Sequence, residues 1–241
     1  MKYMAGVSTI VVAALLASAL NGCGGGSTTV ATTPATSFDL QMGITGQVMS
    51  GQTASVTLSG TAIVSGSSVP FTGSGTLTLA PGVGATFNGA GALSQIETIS
   101  GTVTAAGQSG PYASSVTDFY ATGNDAFVGE TGTNEYDVAQ TAFTYPTAVM
   151  AGSSGILGTT SNYADSTMGV AQGTTQVSYA VTATAGSSSS VMVAVTDQVY
   201  DTQSALVETD VTNYSLTDGG VLLLVSASVQ NSSGTLTLTV Q

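Results

Sequence analysis

Thr235-Leu236-Thr237-Leu238-Thr239-Val240 alternates a β-branched polar residue with an apolar one at every step. A period of two puts the apolar set on one face and the threonines on the other, which is the signature of a half-buried strand. The same pattern recurs up the chain. Val56 and Leu58 alternate with Ser55, Thr57 and Ser59, and Thr76-Leu77-Thr78-Leu79 is equally regular. Val177, Tyr179 and Val181 share one phase, as do Val191, Val193, Val195 and Val199. Val221-Leu222-Leu223-Leu224-Val225 is continuously apolar and reads as a central strand buried on both faces. No sustained helical period occurs after Cys23.

Turn chemistry separates these runs. Asp218-Gly219-Gly220, Asn231-Ser232-Ser233-Gly234, Gly186-Ser187-Ser188 and Ala80-Pro81-Gly82 each lie between strand-like segments. Short links imply antiparallel neighbours. The expected fold is all-β, an antiparallel meander forming an open barrel or a β-sandwich. Ser74-Gly75-Thr76-Leu77-Thr78-Leu79 returns as Ser233-Gly234-Thr235-Leu236-Thr237-Leu238; a duplication is one explanation, and in so biased a composition chance and a shared hairpin solution are the favoured one. A membrane-spanning barrel is not expected, because the outward positions are Ser and Thr and Trp is absent.

The expected organisation has a β-rich half over 38–122, a connecting loop region over 123–134, and a second β-rich half over 135–241, with one continuous domain as the alternative. The halves differ in composition: three carboxylates and two tyrosines lie within 36–122, against eight and six within 135–241.

Composition excludes much chemistry. The chain has 13 acidic residues, one basic residue and no histidine. The basic residue is Lys2, so nothing beyond the leader can pair with a carboxylate. Phosphate and nucleic-acid binding rest on Lys and Arg. Ser-His-Asp or Cys-His nucleophiles need an imidazole, a Schiff base needs a lysine, and zinc needs His or Cys. No enzyme activity, no cofactor and no nucleic-acid partner is therefore expected.

The acidic residues offer the candidate sites. Asp125, Glu130, Glu135 and Asp137 fall in a stretch read as a loop, where four carboxylates suit Ca²⁺. Without an Asp-x-Asp-x-Asp-Gly pattern, a solvated loop is the favoured reading, and no metal is assigned. Asp197 and Asp201 share a strand face, and Glu208 and Asp210 share another. Paired acids suit glycoside hydrolysis; a polar outer face is the reading preferred here. Tyr136, Tyr145, Tyr163, Tyr179, Tyr200 and Tyr214 are candidates to line a pocket, or core residues with a wet hydroxyl.

The start of the chain follows the grammar of an exported protein. Lys2 precedes an uncharged run, Met4 to Leu20, built on Ile10-Val11-Val12-Ala13-Ala14-Leu15-Leu16. It ends at Leu20-Asn21-Gly22-Cys23, which contains the only cysteine. These residues resemble the signal peptide and lipobox of bacterial lipoproteins. Leu20 and Gly22 match the usual residues, and Asn21 stands where Ala or Ser is common. The resemblance implies removal of residues 1–22, a helical signal peptide, and lipidation with palmitate-type chains on Cys23. It also implies a membrane partner held through that lipid. Gly24, where Asp would favour inner-membrane retention in enteric bacteria, points to the outer membrane of a Gram-negative cell envelope. Residues 23–37, rich in Gly, Ser and Thr, read as a flexible tether.

Three roles fit this sequence. They are an envelope lipoprotein with a structural or interaction role, a periplasmic module binding an apolar ligand inside the β-structure, and, less favoured, a carboxylate-based hydrolase.

Overall fold

The computed structural model describes residues 36–241. The signal peptide, Cys23 and nearly all of the tether lie outside the described residues. The order of elements is α1 (Leu40–Ser50), β1 (Gln52–Val64), β2 (Ser67–Leu79), β3 (Val83–Phe87), β4 (Ala90–Ala105), β5 (Gln108–Ala121), β6 (Phe127–Gly132) and β7 (Glu135–Ala139). It continues with β8 (Ser154–Tyr163), β9 (Ala171–Ala183), β10 (Ser190–Asp201), β11 (Leu206–Thr217), β12 (Leu222–Asn231) and β13 (Gly234–Val240).

All thirteen strands join one antiparallel sheet. The meander closes on itself because β1 pairs with β13 and β2 pairs with β4, giving a twelve-stranded barrel with β3 as the extra strand. β3 continues the line of β2 along the same edge of β4: Leu79 stands opposite Glu97, and Val83 opposite Ser94. Pro81 and Gly82 break the line between them. The repeated Ser-Gly-Thr-Leu-Thr-Leu segments are β2 and β13, the two neighbours of β1. Their outward Ser and Thr, with those of β1, make an exposed polar wall, unlike the apolar band of a membrane barrel.

Three expectations need correction. The stretch 40–50 is a helix, α1, although no helical period marks it. Its buried residues are Leu40, Gly43, Gln47 and Val48, a helical face that includes a glycine and a glutamine. Its ends carry the signal instead. Asp39 caps it by accepting from the Met42 N–H at 2.8 Å, and Gly51 ends it at φ 66°. Residues 127–132, placed in a connecting loop, are strand β6. Leu222 and Leu224 are buried, but Val221 and Leu223 are 52% and 47% exposed, so this segment is buried on one face and not on both.

The helix closes one end of the barrel. Gly43 lets it approach β11 and β12, since a Cβ there would meet Leu216 Cδ1 at 2.9 Å. Gln95 on β4 clamps its last turn: Nε2 donates to the carbonyls of Gln47 at 3.1 Å and of Ala80 at 3.0 Å. Phe38, Leu40, Val149, Val181, Val193, Leu216 and Leu222 form the apolar packing at this end. A second core packs β1, β2 and β4 against β11–β13 through Val56, Leu58, Leu77, Ile99, Val229, Leu236 and Leu238. A smaller cluster of Phe143, Leu157 and Val177 packs against Phe127, Tyr145 and Val195, and between these clusters part of the interior is open.

Candidate acidic cavity

The open part of the interior is a cavity of about 460 Å³. Its floor is Leu40, Ile44 and Gln47 of α1. At the other end it is lined by the exposed residues Gln172, Val207, Ser232 and Ser233, which form its mouth. Strand register decides what points inward, because residues opposite one another across a ladder share a face.

That register turns acids into the barrel on two walls. On the first, Asp118 of β5 faces Glu130 of β6, which faces Asp137 of β7, and Glu97 of β4 stands beside them. On the second, Asp197 of β10 faces Asp210 of β11, with Glu208 two residues before it. Glu135 lies near the mouth. Eight of the chain's 13 carboxylates thus line one cavity.

The four acids first grouped as a loop therefore separate. Glu130 and Asp137 are register partners, 8% and 7% exposed, rather than members of a solvated loop. Asp125 sits in the turn before β6, away from the cavity lining. Asp201 is a turn residue whose Oδ1 accepts from the Gln203 and Ala205 N–H groups at 2.8 and 2.9 Å. The preference for a polar outer face fails for Asp197, Glu208 and Asp210, which are on the inner one. No three of these acids gather as a metal-holding group among the described residues. Of the six tyrosines considered, Tyr145 and Tyr214 line the cavity, and Tyr120 of the first half joins them. Tyr136 instead packs outside the barrel against Phe87 and donates to Asn88 Oδ1.

Enclosure without cations sets the electrostatics. Burial is the largest influence on Glu97, Asp118, Asp137, Asp197, Glu208 and Asp210, because it disfavours the charged form. Burial and then the charge of Asp118 push Glu97 up to about 8. Burial, then Glu135 and Asp197, push Asp137 up to about 8, and burial followed by Asp118 does the same for Asp197. Asp118 rises only to about 6, because hydrogen bonds with Glu130 and Tyr120 offset part of its burial. Asp210, 1% exposed, is pushed up to about 12, by burial and then by Glu208 and Asp197. Glu208 is raised by burial but accepts from Asn231 Nδ2 at 2.6 Å. At neutral pH the most enclosed of these groups therefore hold protons.

Sequence carried a signal for these positions. Asp197 is in phase with Val191, Val193, Val195 and Val199, and Glu97 is in phase with Ile99 and Val103. An acid in step with the apolar face of a strand is an acid inside the barrel. Hydrogen bonds join three of the neutral polar groups beside them: Thr160 Oγ1 donates to Asn162 Oδ1 at 2.8 Å, and Asn162 Nδ2 donates to Thr175 Oγ1 at 2.7 Å. No family model, no curated protein and no solved structure matches this chain.

Proposed function

We propose that this chain is an envelope lipoprotein, held in the membrane by a lipid on Cys23, whose barrel carries a small ligand in its interior. The observation that supports the reading is the cavity, floored by α1 and open at the opposite end. Its volume of about 460 Å³ falls within the range typical of small-molecule sites. A ligand there meets carboxyl groups on two sides, so it is polar or charged rather than purely apolar. The leader and lipobox resemblance supports attachment, with the tether setting the barrel off the bilayer. The role is binding rather than catalysis.

Native mass spectrometry of the full chain, extracted in non-ionic detergent, tests the binding half. A small-molecule adduct that is lost on denaturation is expected, and a ligand-free mass under gentle conditions contradicts it. Fatty-acid analogue labelling tests the anchor. Cys23→Ser is expected to abolish it, and unchanged labelling overturns the attachment.

A further inference from the structure

Two independent features of the cavity point to the charge of its ligand. The first is the arrangement of acids on facing walls, Asp118, Glu130 and Asp137 on one side and Asp197 and Asp210 on the other. The charge of Asp197 acts on Asp137, and that of Glu135 on Asp210, so the walls are within electrostatic reach across the gap. The second is that acceptors among them lack donors. The carboxyl of Asp210 meets only another acid, Glu208, as its hydrogen-bond partner, and Oδ1 of Asp137 has no partner among the described residues. These side chains are 1% and 7% exposed, and both line the cavity. Buried polar atoms are rarely left in this state without a partner.

We propose that the ligand is a small organic cation with two amino groups, held between the carboxylates of the two walls. This rests on the reading of the barrel as a binding module. Lys2 is the chain's one basic side chain and lies in the leader, so nothing among the described residues supplies the counter-charge. An ammonium offers donors only, which complements acceptors that lack them. Tyr120, Tyr145, Tyr214 and Phe127 add aromatic faces beside the acids, where a desolvated cation is attracted. Glu135 and Glu208 lie toward the mouth and favour entry of positive charge. A divalent metal fits less well, because the acids are spread over two walls rather than gathered around one point.

Binding on these terms exchanges protons. The diamine arrives protonated, a carboxyl ionises to meet it, and the released proton passes to the buffer. Asp210 is faced by Asp197 on β10, Glu208 on its own strand and Glu135 across the cavity, while β12 places Val229 opposite it. Asp137 is faced by Glu130 on β6, Glu135 on its own strand and Asp197 across the cavity, while β8 places Asn162 opposite it. No facing group is basic, so affinity rises with pH from 6 to 9 while the amine stays charged.

Isothermal titration of the full chain in non-ionic detergent with 1,5-diaminopentane tests this, with 1,5-pentanediol and CaCl₂ as comparators. The diamine is expected to bind with proton release, seen as heats that depend on the buffer, and the diol at least about tenfold more weakly. Asp210→Asn is expected to weaken diamine binding roughly 10- to 100-fold, the cost of one charge-assisted hydrogen bond. Asp201→Asn, in a turn outside the cavity, leaves binding unchanged, and thermal melts confirm that both variants fold. Equal binding of diamine and diol, or stoichiometric Ca²⁺ that displaces the diamine, overturns the proposal. So does an absent diamine signal in a protein that still carries a native adduct or takes up an apolar fluorescent dye. That last result spares the binding module. Absence of diamine, adduct and dye together overturns both.

Discussion

Asp197 of β10 stands directly opposite Asp210 of β11, and both side chains turn into the barrel. Two carboxylates so placed cannot both ionise cheaply, and there is no basic residue among the described residues to relieve them. The consequence for stability has a definite sign. Glu97, Asp137 and Asp197 titrate near 8 in the folded barrel and Asp210 near 12, against about 4 for an unfolded carboxylate. Between those values the folded state binds more protons, so stability falls as pH rises. Thermal melts are expected to give the highest Tm at pH 4–5 and a steady decline to pH 9. A Tm that rises from pH 5 to pH 8 contradicts this.

Replacing one of the pair changes that slope. Asp210→Asn keeps the shape and removes the most strongly raised acid. It is expected to raise Tm at pH 9 by a few degrees, since about 1 kcal/mol moves a domain of this size by roughly 2–4 °C. At pH 4.5, where the native carboxyl is already neutral, the difference shrinks towards zero. Melts at the two pH values check both expectations.

Gln95 fastens the floor of the cavity to its wall. Its Nε2 reaches the carbonyls of Gln47 and Ala80, joining the end of α1 to the break between β2 and β3. Gln95→Leu removes the donor to the Ala80 carbonyl, while the Gln47 carbonyl keeps the Gly51 N–H at 2.8 Å. A loss of about 1–3 kcal/mol is expected, as for other orphaned buried polar groups. Hydrogen exchange in α1 is expected to quicken more than exchange in β10. Equal effects in both elements count against a local clamp.

Glycine makes room for aromatic rings at two points. A Cβ at Gly158 would overlap the Phe143 ring on the inner side, and one at Gly129 would overlap the ring of Phe87, which lies over the outside of β5–β7. Each Gly→Ala substitution is expected to cost roughly 1–3 kcal/mol, the usual penalty for overfilling packed sites. By contrast a Cβ at Gly84 on β3 meets nothing within 4 Å, and Gly84→Ala is expected to fall within about 0.5 kcal/mol of the parent, as at other unconstrained surface sites. Urea denaturation of the three variants separates them.

Strand existence was legible because alternation survives in the residues themselves, as in Thr235 to Val240 and Val191 to Val199. The antiparallel meander followed from the turns between them. Closure was not legible, since it depends on β2 meeting β4 past a five-residue strand, and no local pattern encodes that pairing. The helix α1 was missed because its buried face includes Gly43 and Gln47, leaving its evidence in the caps at Asp39 and Gly51. The cavity acids were misplaced for a different reason. A lone acid in a strand is usually outward, and only its phase against Val193 and Val195 marks Asp197 as inward. Even then, phase says that a residue faces the interior, not that the interior is open.

Carboxyl ¹³C chemical shifts followed through a pH titration of the folded protein test the central claim most directly. The account has carboxyls enclosed in the barrel with no basic partner among the described residues, so Glu97, Asp137 and Asp197 are expected to titrate near pH 8 and Asp210 well above them. Asp165, exposed and hydrogen-bonded to Thr167, is expected to titrate below the usual aspartate range. If all thirteen acids titrate between about pH 3 and 5, as free carboxyls do, the acidic interior does not exist as described.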